Sequence, residues 1–324
     1  MGMLLLFRLF KYLEEVKSML KWVKSKLKTE HVIPDVMGIY LFKVLYHRVM
    51  PRQKNRKLLF IVGCQRSGTS LMNRIFSRDL NVSVYREASK LSSTDLPKKL
   101  RLNPLNQVQQ ELERNKAPII VLKPLVESQN ILQLLDYFSQ SKALWMYRHY
   151  KDTAISLVGR FGATTSLRNI KCIVEGDRSS WHAEGASDYV RSVVMQHYLE
   201  AMSPYDAAAL FWFARNQLFY ELNLDRNPHV LMARYEDLAI DPGATIEKIY
   251  RFLGSSYPEK TKLVQEVKAT SVGRGYNIEL SPVIEQLCAG LLEQLNQTYA
   301  AQSSAAHAST VLQQDYVVSS SQVA

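Results

Sequence analysis

The chain is 324 residues long and 47% apolar, and it carries 41 Lys and Arg against 30 Asp and Glu, a formal net charge of +11. Length and apolar content allow one enzyme-sized domain with additions or two smaller ones; the charge favours a polyanionic partner without choosing among nucleotides, acidic glycans, nucleic acid and anionic membranes. The three cysteines, Cys64, Cys172 and Cys288, are odd in number and far apart, which argues against a disulfide framework or a zinc site and suits a reducing, cytoplasmic location.

No apolar run approaches the roughly 20 residues of a membrane-spanning helix. The N-terminal MLLLF has neither the charged leader nor the cleavage site of a signal peptide, and Leu6 stands where N-myristoylation expects Ser or Thr. Residues 1–50 read as a separate N-terminal segment. Within it Leu6, Phe10, Leu13, Leu20, Val23 and Leu27 recur at helical spacing among many lysines, which predicts a basic amphipathic helix over 4–28. Such a helix can lie peripherally on an anionic membrane or pack on the main domain.

The main domain is expected over 58–300. Short apolar runs at 58–63, 119–122, 143–147 and 229–233 predict buried strands, and helical patterns lie between them, the first over 70–80. Continuously apolar strands alternating with helices predict an α/β fold with a parallel sheet flanked by helices on both faces. Residues 204–221 form an aromatic-rich core helix. A helix over 242–253 is marked by Asp241 as N-cap, Pro242 at its first position and Gly254 at its end. Residues 301–324, rich in Ser, Ala and Gln, read as a disordered tail.

The stretch IVGCQRSGTSLM, residues 61–72, joins the first strand to the first helix through Gly63, four residues and Gly68. A strand, a glycine turn and a helix make an anion cradle, because free backbone N–H groups and the helix dipole converge on one point. A nucleotide-hydrolysing P-loop would follow Gly68 with Lys and a hydroxyl residue; here Thr69 and Ser70 follow it, and the cation, Arg66, lies inside the loop. In the form RSGTSL the loop resembles the 5′-phosphosulfate loop of the PAPS-dependent sulfotransferases (PAPS, 3′-phosphoadenosine 5′-phosphosulfate). A second motif agrees with it. LWMYRHYKDTAISLV, residues 144–158, carries Arg148, the pair Lys151 and Asp152, and Ser156 eight residues after Arg148, the spacing of that family's 3′-phosphate clamp. A site for PAPS requires two anion cradles, where an ATP site requires one and a metal.

The resemblance, which covers about 58–275, implies a P-loop type fold and sulfuryl transfer from PAPS to a hydroxyl acceptor, with no metal. It implies that Arg66, Ser67, Gly68, Thr69 and Ser70 hold the 5′ end of the donor, and that Arg148 and Ser156 hold the 3′-phosphate. Arg274, in Gly273-Arg274-Gly275, stands where cytosolic members carry a segment that closes over that phosphate. Glu87, 21 residues after Arg66, matches the glutamate base of tyrosylprotein sulfotransferase-like members, and Lys123 resembles the lysine of their K-x-P element. Arg66 and Lys123 would neutralise charge on the leaving oxygen. Glu236 and Asp237 read as structural carboxylates at a strand end. His149 and His182 fall outside the histidine context of cytosolic members. The acceptor loops are expected in 81–118 and 159–203; a glycan, a lipid or a small molecule fits, and nucleic acid is not implied. Two alternatives remain at this stage: a variant P-loop kinase, and a non-catalytic nucleotide- or membrane-binding protein.

Overall fold

The computed structural model describes residues 55–93, 100–258 and 269–321, with the single positions Lys43, His47, Val264 and Val267. The amphipathic helix expected over 4–28 lies outside the described residues. Five strands form one sheet: β1 (Lys57–Gly63), β2 (Val82–Tyr85), β3 (Ile119–Leu122), β4 (Ser141–Tyr147) and β5 (Val230–Arg234). Their order is β2-β3-β1-β4-β5, and every pair is parallel.

The helices in chain order are α1 (Thr69–Arg78), α2 (Leu105–Arg114), α3 (Ile131–Tyr137), α4 (Tyr150–Phe161), α5 (Ala163–Glu175), α6 (Asp188–His197), α7 (Pro204–Glu221), α8 (Tyr235–Ile240), α9 (Pro242–Leu253) and α10 (Pro282–Ser321). Alternation along each strand divides the core into two layers. Phe60, Val62, Trp145, Tyr147 and Met232 face the layer that contains α7, whereas Leu59, Ile61, Leu144, Met146 and Leu231 face the layer of α1 and α9. The sheet is thus covered on both faces, which is why its strands are apolar throughout rather than alternating. α7 is buried over most of its length, Trp212 and Phe219 included, as an all-round apolar helix must be. The helix predicted over 242–253 is α9: the Asp241 side chain accepts from Ala244 N at 3.0 Å, and Gly254 takes φ 65°.

Two elements differ from the sequence expectation. β2 is a strand that periodicity does not disclose, because four residues are too few to set a pattern; its pairing with β3, Val82 to Ile119 through Tyr85 to Leu122, makes it one. The tail expected to be disordered from 301 instead continues α10 to Ser321. Ala and Gln are good helix formers, and the first residues beyond 300 find acceptors and donors on the domain: Gln302 Oε1 accepts from Met232 N at 2.9 Å, and Lys248 Nζ donates to Ser303 Oγ at 2.7 Å. Among the described residues no helix is long and apolar enough to cross a membrane.

Candidate active site

Because the five strands run the same way, their carboxyl ends share one edge of the sheet, where open α/β sheets bind ligands. Each end delivers a chemically capable residue within three positions: Arg66 after β1, Glu87 after β2, Lys123 after β3, Arg148 after β4 and Tyr235 after β5. This is how residues spread over 170 positions of sequence come to one edge.

The loop after β1 is tightly wound. Gly63 and Gly68 have φ 124° and 91°, and Arg66, a residue with a side chain, also sits in the left-handed region at φ 66°. A Cβ on Gly63 would overlap the Met146 carbonyl of β4, and one on Gly68 would overlap the Tyr235 ring, so both positions demand glycine for space as well as for φ. Gly68 caps α1 without a side-chain hydrogen bond, which leaves the first-turn N–H groups of α1 facing the loop. Ser67 and Thr69 are buried beneath it. Cys64, also buried, has its thiol pushed up to about 12 by desolvation, so it is an inert packing residue.

One half of the site lies beside β3. Lys123 is buried and donates from Nζ to Ser70 Oγ at 3.0 Å; the same Nζ lies 3.2 Å from Glu87 Oε2. The ammonium absent from the loop itself therefore arrives from the neighbouring strand. A small depression next to this pair is lined by Tyr85, Glu87, Leu91, Leu102, Lys123 and Pro124. Next to Leu102 in the chain, Arg101 donates from its guanidinium to Glu127 Oε1 at 2.8 Å and to both oxygens of Glu184. Glu127 follows Lys123 closely in the chain and also accepts from Leu102 N at 3.0 Å. The two segments in which acceptor loops are expected, 81–118 and 159–203, thus meet at Arg101 and Glu184.

The other half lies between β1 and β4. A cavity of about 310 Å³, within the usual range for ligand sites, is lined by Arg66, Arg148, Ser156, Arg160 and Arg274, with Asp152 as its one carboxylate. Arg148 is buried, its guanidinium lies 4.3 Å from the centre of the Tyr235 ring, and its carbonyl accepts from Trp212 Nε1 at 2.9 Å. Arg148 Nη2 contacts Asp152 Oδ2 at 3.2 Å and donates to the Ser271 carbonyl, while its Nε is buried without a partner. Arg66 Nε donates to Ser156 Oγ at 3.0 Å, so the loop arginine reaches across to this half. Burial, then the nearby charges of Arg160 and Arg148, hold the Arg66 guanidinium below its ordinary value. Arg274 is at the rim, donating from Nε to Thr270 O at 2.8 Å.

The residues expected to hold the donor or carry the chemistry are at one half or the other, with Arg66 between them. Sequence reasoning missed Arg160 and the part played by Tyr235. Arg160 lies one helical turn beyond Ser156 on α4, and that i, i+4 spacing was the available signal. Tyr235 touches Gly68, stacks under Arg148 and bonds Ser271 through its hydroxyl, which only the tertiary fold brings together. Glu236 is structural as expected: its Oε1 accepts from His149 N at 3.0 Å, and burial raises its carboxyl above the ordinary 4.5. His149 caps α4, and His182 packs between Trp181 and Phe211.

A parallel sheet with a P-loop-like turn after its central strand and an arginine-rich cavity at the same edge defines an α/β protein of P-loop type. The family model of the sulfotransferase domain matches residues 56–273, two thirds of the sequence, and the chain belongs to that family. It is a PAPS-dependent sulfotransferase, an enzyme that transfers a sulfuryl group to a hydroxyl acceptor. No curated protein sequence gives a significant match. Among solved structures the chain is similar to the sulfotransferase domain of the Synechococcus PCC 7002 olefin synthase, at 18% identity and TM-score 0.46, covering 76% of this chain and 97% of that one. It is similar to the sulfotransferase domain from the curacin biosynthetic pathway at 16% identity and TM-score 0.49, covering 76% and 99%. It is also similar to mouse sulfotransferase SULT7A1 complexed with PAP, at 16% identity and TM-score 0.41, covering 75% and 85%.

Proposed function

We propose that the β1 loop and the cavity beside β4 hold the two phosphorylated ends of PAPS, and that Glu87 and Lys123 carry the chemistry. The observation that carries this reading is the bridge made by Lys123, which touches both the loop hydroxyl of Ser70 and the carboxylate of Glu87. PAPS supplies the sulfuryl group, and the residues fit it. The open first turn of α1, with Ser67, Thr69 and Ser70, suits the 5′ end. The Arg148 guanidinium, with Ser156 and Arg274 in the same cavity lining, suits the 3′-phosphate. No metal enters the proposal, because fixed cations stand on both sides of the loop.

Glu87 takes the proton of the acceptor hydroxyl as its oxygen attacks sulfur, and the bond from sulfur to the bridging phosphate oxygen breaks in line. Lys123 and Arg66 hold the negative charge that develops on that oxygen. Lys123 has three N–H donors; two face Glu87 and Ser70, which leaves one for the leaving side. The acceptor is a hydroxyl on a glycan, a lipid or a small molecule, received in the depression between Leu91, Leu102 and Pro124. The N-terminal segment makes peripheral membrane contact in this reading, and the enzyme works in the reducing cytoplasm, where the free thiols of Cys64, Cys172 and Cys288 persist.

Thermal denaturation with adenosine 3′,5′-bisphosphate (PAP), and separately with ATP and magnesium, tests the reading. A ligand bound only by the folded state raises its midpoint with the logarithm of concentration. PAP is expected to stabilise strongly and ATP with magnesium weakly. Stabilisation by ATP with magnesium and none by PAP would overturn the assignment of the cavity. Undiminished transfer in Glu87→Gln would remove Glu87 as the base.

A further inference from the structure

Among the described residues Asp152 is the one carboxylate lining a cavity that four arginines also line, and the proposed chemistry gives it no task. It is 3% exposed, and both its oxygens are engaged. Oδ1 accepts from Gly275 N at 2.6 Å, and Oδ2 accepts from Gly273 N at 2.9 Å while lying 3.2 Å from Arg148 Nη2. The segment around Gly273, Arg274 and Gly275 is distant in sequence and docks on α4 through these bonds. Its fit is close: a Cβ on Gly275 would overlap the Lys151 Cβ and come within 2.7 Å of Asp152 N.

We propose that Asp152 is a positioning residue for the 3′-phosphate: its carboxylate straps the 271–275 segment across the cavity and sets the orientation of the Arg148 guanidinium. By occupying Nη2 together with the Ser271 carbonyl, Asp152 fixes the plane of the Arg148 guanidinium at the wall of the cavity. By holding Gly273 and Gly275 it fixes Arg274 at the rim. A carboxylate facing a phosphate would ordinarily repel it; three N–H donors on Asp152 spread that charge and hold it against α4. The inference rests on the reading of this cavity as the PAPS 3′-phosphate site.

Calorimetric titration of the full chain with PAP and with AMP, which lacks the 3′-phosphate, tests it. In the unaltered protein PAP binds more tightly than AMP. Asp152→Asn places an amide donor against the N–H groups now held, and it is expected to weaken PAP about tenfold or more while AMP changes less than about twofold. Gly275→Ala lifts the strap off α4 without touching the carboxylate and is expected to give the same selective loss. Trypsin cleavage after the exposed Arg274 supplies a second readout: PAP protects the bond in the unaltered protein and fails to protect it in Asp152→Asn. Equal losses for PAP and AMP would make Asp152 a fold-stabilising residue only, and undiminished PAP affinity in both variants would remove the strap from binding; either overturns the proposal. A lack of preference for PAP over AMP in the unaltered protein would overturn the cavity reading itself, a result separable from failure of the strap.

Discussion

Gly68 packs against Tyr235, the ring that also lies under Arg148 and bonds Ser271, and substituting it by alanine gives a calculable perturbation. At φ 91° an alanine loses about 1–2 kcal/mol relative to glycine for its Cβ alone. That Cβ would also overlap Cδ2 of Tyr235, and relieving it by moving a buried ring costs about 1–3 kcal/mol more. Together they lower stability by about 2–5 kcal/mol, which at roughly 2–4 °C per kcal/mol corresponds to a fall in Tm of about 4–20 °C. The displaced ring is the one under Arg148, so PAP affinity is expected to fall as well. Differential scanning calorimetry of Gly68→Ala, with Gly290→Ala as control, measures the effect. Gly290 lies within α10 with no atom near its missing Cβ, so alanine there is expected to be neutral or to stabilise by about 1 kcal/mol. Equal Tm values for Gly68→Ala and the unaltered protein would refute the reasoning, since neither strain nor overlap could then be present.

Lys123→Met keeps the length of the side chain and removes its charge; transfer is expected to fall about 10²–10³-fold in kcat, the loss typical of one transition-state donor, while PAP affinity falls far less. A parallel collapse of both would place Lys123 in binding rather than chemistry. Arg101→Ala deprives Glu127 and Glu184 of their shared partner and is expected to destabilise by about 1.5–3 kcal/mol and to raise the acceptor KM without altering PAP affinity. Unchanged acceptor KM would separate Arg101 from acceptor recognition. Burial, aided by Arg215 and Arg168, pushes His182 down to about 4 from an ordinary 6.5. A folded value below the unfolded one means that the unfolded chain binds more protons between the two, so this contribution is complete above pH 6.5 and is lost as pH falls toward 4. His182→Phe is therefore expected to flatten the acid limb of Tm against pH by up to about 3 kcal/mol; an unchanged slope would show that His182 is not its source.

What the sequence disclosed divides along physical lines. Glycine, proline and cap residues act locally, so the end of β1 and the boundaries of α9 were legible from single positions. The spacing of Arg148 and Ser156 was legible because both lie on one strand-to-helix unit with fixed geometry. β2 was not, since its four residues become a strand only against β3. The strap was legible as a Gly-Arg-Gly stretch but not as a ligand of Asp152, because hydrogen bonds from Gly273 and Gly275 to a helix 121 and 123 residues earlier leave no periodic trace. The loop position of Arg66 marks it as a companion of the 5′ phosphate, whereas its bond to Ser156, which ties it to the other half of the site, arises only from the tertiary fold. Arg101 went unremarked for the same reason, as its partners Glu127 and Glu184 lie on two other segments.

The arrival of all five functional side chains at strand ends has a mechanical corollary. A residue one position beyond a strand moves with the hydrogen-bonded ladder behind it, so inserting a single residue into β3 would carry Lys123 about 3.3 Å along the sheet and turn it to the opposite face. The sheet thus acts as a gauge that sets the spacing of carboxylate, ammonium and guanidinium, and it tolerates no change in count. The stretches 88–93, 100–117 and 161–203 hang from that gauge without entering it. In the proposed reading they can lengthen, shorten or change composition to suit a new hydroxyl substrate while the strand-end side chains keep their spacing.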